Sequence, residues 1–94
     1  MRITVLLPQV LRPNAGGAGR LTVDMADGAT MGALLDALAR DHPGLDRRIR
    51  DEQGGLRRYV NFYVDGEECR RLAGSDTELK DGTEVQIIPS VAGG

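Results

Sequence analysis

Only one cysteine, Cys69, stands among the 94 residues, so neither an internal disulfide nor a paired-thiol metal motif can form. Lysine is as scarce. Lys80 stands alone against 11 arginines, which leaves almost no side-chain amine to which other proteins could be attached. In any conjugation chemistry the chain would act through its own end. No apolar run is long enough for a membrane span or a signal peptide, and Met1-Arg2-Ile3-Thr4-Val5-Leu6-Leu7-Pro8 reads as a strand from the start. Basic charge is not in excess: 12 basic and 14 acidic side chains give a formal net charge of -2, which argues against nucleic acid as a partner. The expectation is a cytoplasmic protein with no nucleic-acid or membrane partner. A chain of this length builds one modest core, burying roughly 60% or somewhat more of its unfolded surface, which excludes a multi-domain enzyme.

What is present is an ordered series of elements. Ile3, Val5 and Leu7 alternate along a first strand that Pro8 closes, and Leu21, Val23 and Met25 repeat the period-two pattern after the glycine-rich run from Asn14 to Gly19. A long hairpin is predicted. Asp27-Gly28 marks a turn, and Thr30 is placed to cap a helix over residues 31–41 whose Met31, Leu34, Leu35 and Leu38 follow the i, i+3, i+4, i+7 spacing. Pro43-Gly44 is expected to end it. Residues 44–58 are charged and without periodicity, with Leu45 and Ile49 under a short turn and Gly54-Gly55 at a loop tip. A strand follows over residues 59–64, with Val60, Phe62 and Val64 on one face and Asn61 and Tyr63 on the other; Asp65-Gly66 is a hairpin turn. A short strand near residues 67–70, a polar loop between Leu72 and Leu79, the Asp81-Gly82 turn and a last strand over 84–88 complete the chain. The fold class is α+β: a mixed sheet of about five strands with one main helix across one face. With the first and last strands parallel neighbours at its centre, this is the β-grasp, or ubiquitin-like, fold. The domain spans residues 1–89, and residues 90–94 form a flexible tail.

The tail, Ser90-Val91-Ala92-Gly93-Gly94, carries the candidate chemistry. Two glycines in succession make a thin strand of backbone that passes through a slot closed to a branched residue, and Gly94 places a carboxylate at its tip. Pro89, without an N–H, is expected to stop strand pairing and release the tail.

Other candidates reduce to structure. Gly16-Gly17-Ala18-Gly19 lacks a following Gly-Lys-Ser/Thr and is a hairpin loop rather than a phosphate cradle. His42 has no histidine or cysteine companion at ligand spacing, so it caps a helix end and no metal site is expected. Cys69 is either a sulfur relay or a small core residue in a strand, and the second is favoured. Asp36, Asp41 and Asp46 form no catalytic pair.

In its opening Pro8 with Leu11-Arg12-Pro13, the strand Tyr59-Val60-Asn61-Phe62-Tyr63-Val64, the Asp81-Gly82 turn and the ending Ile88-Pro89-Ser90-Val91-Ala92-Gly93-Gly94, the chain resembles the ubiquitin-like sulfur carriers of the MoaD and ThiS superfamily, most closely the CysO type. The resemblance implies a protein co-substrate, not a catalyst. A ubiquitin-activating-like adenylyltransferase would use ATP to make an acyl-adenylate at Gly94, sulfur would displace AMP, and the thiocarboxylate would donate sulfur to an acceptor enzyme. No cofactor would be bound by the chain itself. For the CysO type the acceptor is a pyridoxal-phosphate cysteine synthase, and a zinc metalloprotease releases the new cysteine. Gly93, Ala92 and Val91 would lie in the partner's active-site channel. The alternatives are the small subunit of molybdopterin synthase and a ubiquitin-like protein modifier.

The sheet face without the helix offers a place to dock. Leu6, Tyr63 and Ile88 fall on that outer parity and predict an apolar patch for partners. Arg57, Arg58, Arg70 and Arg71 could rim it, although a run of charge is more often a solvated face.

Overall fold

Alternation of apolar and polar residues puts Arg2–Leu6 into the first strand, β1, of the computed structural model, which describes residues 1–90. Ile3 and Val5 point inward and are fully buried. The antiparallel partner β2, Arg20–Asp24, sets Ile3 against Val23 and Val5 against Leu21, so the long hairpin forms. Its connection is more ordered than a loop. Gln9–Ala15 winds into 3₁₀ turns that bury Leu11 and Ala15 and end at Gly16, whose φ of 66° suits a residue without a Cβ.

Helix α1 spans Met31–Asp41, the range its spacing predicted, and Thr30 Oγ1 accepts the Ala33 N–H at 3.2 Å as its cap. Met31, Leu34, Leu35 and Leu38 are all buried against the sheet's inner face. Strand β3, Val60–Val64, turns through Asp65 (φ 47°) and Gly66 (φ 89°) into the two-residue β4, Glu67–Glu68. Two residues of positive φ match the right-handed twist of the flanking strands.

Strand β5, Glu84–Pro89, runs parallel to β1 on one side and antiparallel to β3 on the other. The order across the sheet is β2-β1-β5-β3-β4. The last strand is therefore central, and its inner residues Val85 and Ile87 are fully buried. This is the β-grasp arrangement expected for the chain.

Two expectations need correction. Pro43-Gly44 does not end the helical region but opens a second helix, α2, Pro43–Ile49. Proline loses nothing at a first helical position, where its N–H would have no partner. Leu45 and Ile49, one turn apart, are fully buried, and Arg50 ties α2 to α1 through Asp46 at 2.6 Å and Asp36 at 2.8 Å. His42 joins the helices through its backbone: its N–H donates to Leu38 O, its carbonyl accepts from Leu45 and Asp46, and its side chain makes no cap.

Pro89 likewise does not free the chain. It sits opposite Val60 in the ladder, and the Ser90 N–H donates to Tyr59 O at 2.7 Å. Successive N–H groups in a strand point to opposite edges. With Ser90 aimed at the β3 side, Pro89 faces the β1 side, where pairing has already ended at Leu6 and Gln86, so the missing donor costs no bond.

Candidate functional site

The site is assembled at the end of β5. Central position gives this strand partners on both sides up to Gln86, and beyond it β3 alone holds the strand as far as Ser90. Ser90 adds to the fixation. Its hydroxyl also donates to Tyr59 O, at 2.8 Å, so backbone and side chain of one residue converge on one carbonyl. Val91, Ala92, Gly93 and Gly94 lie outside the described residues.

On the outer face, the register brings the expected docking residues together. Leu6 and Tyr63 each stand directly opposite Gln86, from β1 and β3, and Ile88 lies two residues further along β5 opposite Asn61. Leu6 also pairs with Arg20, and Tyr63 with Glu68. One row, Arg20, Leu6, Gln86, Tyr63 and Glu68, thus crosses all five strands with its apolar members inside and its charges at the edges. Gln86 was not anticipated in the patch. Leu6 and Tyr63 are half-buried, and Ile88 is 36% exposed.

The arginines weighed as a rim, with a solvated face the favoured reading, part company. Arg70 stays at the surface but folds back on the domain, where Nη1 reaches Glu68 at 3.2 Å, Nη2 donates to Arg57 O at 2.7 Å, and the guanidinium lies 5.9 Å from the centre of the Phe62 ring. Arg57 and Arg58 instead share a hollow with Arg48, Leu56, Tyr59 and Ser90. Arg48 was missed because it belongs to α2, an element invisible without its packing. Arg58 stacks 5.7 Å from the centre of the Tyr59 ring, and Tyr59, half exposed, is the residue whose carbonyl holds Ser90.

Cys69 is a core residue, but not in a strand. It opens a 3₁₀ turn, Cys69–Arg71, with no exposed area, and burial, reinforced by the Glu68 carboxylate, pushes its thiol up to about 11. A buried, protonated thiol is a poor nucleophile. The Gly54-Gly55 loop is closed by Asp51 Oδ1, which accepts the Gln53 and Gly55 N–H groups at 2.9 Å each. Among the described residues no helix is long and apolar enough to cross a membrane, and no cluster of three metal-ligating side chains occurs.

A β-grasp domain with Gly-Gly a few residues beyond its central strand in the sequence is the pattern of a class of small ubiquitin-like proteins. The match to the ThiS family over residues 5–94, together with its relatives, shows that the chain belongs to the ThiS/MoaD family. It is 40% identical to the sulfur carrier protein CysO of Mycobacterium tuberculosis over 100% of both chains. Small archaeal modifier protein 3 of Haloferax volcanii is 40% identical over 72% of this chain and 73% of its own. Among solved structures, the Amycolatopsis orientalis BexX/CysO complex contains a chain that superposes with a TM-score of 0.83 at 37% identity, over 98% of this chain and 99% of that one.

Proposed function

We propose that this protein is a sulfur carrier whose Gly94 carboxylate is adenylated by an ATP-dependent activating enzyme and then converted to a thiocarboxylate. A carboxylate is a poor electrophile at neutral pH. Attack of its oxygen on the α-phosphorus of ATP releases pyrophosphate and leaves an acyl-adenylate; sulfide then adds at the carbonyl carbon and AMP departs. The C–O bond is replaced by C–S, and the sulfur is held as a nucleophile on a protein. The partner enzymes supply the catalysis, and this chain is the co-substrate.

The observation that carries the reading is the fixation of β5 through Ser90, four residues before Gly94, at the centre of the sheet. The full-length similarity to CysO supports cysteine biosynthesis as the destination, with a cysteine synthase-like acceptor and a zinc metalloprotease as further partners. The row through Leu6, Gln86 and Tyr63, with Ile88 beside it, supplies the docking surface. Val91, Ala92 and Gly93 occupy the partner's channel.

Intact-mass spectrometry after incubation with ATP, sulfide and the organism's adenylating enzyme tests this. The expected result is a mass gain equal to exchange of one oxygen for one sulfur, lost when Gly93 and Gly94 are deleted. An unchanged mass with every adenylating enzyme of the organism refutes it. The likeness to an archaeal modifier protein favours a second reading, ligation to target lysines, which a Gly-Gly remnant on lysines in proteolytic digests would reveal.

A further inference from the structure

The two ends of β5 differ in charge balance: at its start the Met1 ammonium and Arg2 line the same hollow as the acids, and at its end arginines predominate. At its start, Asp65 Oδ1 accepts the Glu84 N–H at 2.9 Å, Asp81 Oδ1 accepts the Arg2 N–H at 2.7 Å, and Asp24 and Asp81 line one shallow hollow. At its end, Arg48, Arg57 and Arg58 line the hollow beside Ser90. None of these three guanidiniums forms an ion pair among the described residues. The one acid there, Asp51, has Oδ1 engaged by the N–H groups of its own turn.

Helix α2 does not account for the cluster. Its C-terminal dipole favours Arg47 and Arg48 in the last turn, but Arg57 and Arg58 lie eight and nine residues beyond Ile49. Gathering three guanidiniums around the single carboxylate of Asp51 leaves an excess of positive charge that works against folding through self-repulsion, and it happens here on a chain whose net charge is -2. The four residues beyond Ser90 reach at most about 14 Å when extended. A protein that holds Gly94 in a channel must therefore bring the channel's mouth against the Ser90 end of the domain, where these arginines stand.

We propose that the arginine hollow beside Ser90 docks a carboxylate-rich rim around the tail-receiving channel of a partner protein. The proposal rests on the carrier reading for the partner's identity but not for the chemistry of the hollow. Guanidiniums pair bidentately with carboxylates, and the Arg58 guanidinium is held over the Tyr59 ring, 5.7 Å from its centre, without an acid partner among the described residues. Charge of this kind acts on encounter more than on residence, so it would speed tail capture without altering chemistry at Gly94.

Two experiments test it. In the first, hexaglutamate is titrated into the 15N-labelled protein. Saturable shifts of the Arg48, Arg57 and Arg58 Nε–H resonances are expected, and absent shifts, or equal shifts at Arg2, Arg20, Arg40 and Arg71, overturn the proposal. Inorganic phosphate shifting the three as strongly as the peptide also overturns it, since that marks a small-anion site.

In the second, thiocarboxylation is followed with the adenylating enzyme that charges the wild-type chain. Arg48→Glu with Arg58→Glu changes two residues whose side chains make no hydrogen bond to the rest of the described chain. The pair is expected to lower kcat/KM on the order of tenfold at low salt through KM, with kcat unchanged and the gap closing as salt rises. Arg2→Glu with Arg40→Glu, the same change in charge elsewhere, should leave the reaction unaltered. Equal losses in both pairs, or none in the first, overturn the proposal. If no adenylating enzyme charges the wild type, the carrier reading fails, and the peptide titration still decides the hollow.

Discussion

The same five strands present two different chemistries on their two faces. Inward, Ile3, Val5, Phe62, Val85 and Ile87 have no exposed area and meet the buried side of α1. Outward, Leu6, Gln86 and Tyr63 make a half-buried row with charged ends, beside a more exposed Ile88. Because side chains alternate strictly along a strand, every inner residue that holds the fold is followed by an outer residue released from that duty. Stability and recognition therefore sit on adjacent residues of one strand without competing for them.

The strongest way to break this division is substitution on the inner face. Phe62→Ala should cost about 3–5 kcal/mol in chemical denaturation; a loss under about 1 kcal/mol would show that the core does not depend on the inner row. Next comes pH. Cys69 is a core thiol whose pKa is raised from 9.0 to about 11. The native state thus retains a proton that the unfolded chain releases, so stability is intact below pH 9.0 and declines as pH rises toward about 11. Urea midpoints that move down over that range for the wild type but not for Cys69→Ala would bear this out. The same thiol should resist disulfide-exchange reagents until the protein unfolds.

A smaller effect sharpens the role of the covering helix. Removing the Thr30 cap by Thr30→Ala should destabilise by about 1 kcal/mol, visible as a lowered urea midpoint with unchanged m-value. The smallest effect on stability is expected on the outer face. Leu6→Ala and Tyr63→Ala should each shift stability by only about 0.5 kcal/mol or less, while raising KM for thiocarboxylation. Outer substitutions as costly to folding as Phe62→Ala would erase the distinction between the faces.

Much of this was legible in advance where a local rule repeats often enough. Four apolar residues at helical spacing behind Thr30 gave α1 its bounds, and alternation gave β1, β2, β3 and β5 their faces. Helix α2 was not legible. Seven residues hold only two inward positions, Leu45 and Ile49, and the preceding Pro43-Gly44 reads as a stop when nothing shows what those two residues pack upon. Pro89 misled for a related reason: the cost of its missing N–H depends on which edge it faces, and only the register with Val60 decides that. Arg70 read as one more rim charge until Glu68 and the Arg57 carbonyl claimed it.

By itself the sequence determined the strand faces, the capped helix, and the solitary thiol and lysine, since each is written in neighbouring residues or in composition. Tertiary structure alone decided that Gln86 stands between Leu6 and Tyr63, and that Arg48, Arg57 and Arg58 gather beside Ser90. Those are distances between segments far apart in the chain. They are set by which strands pair and in what register, and no local pattern encodes them.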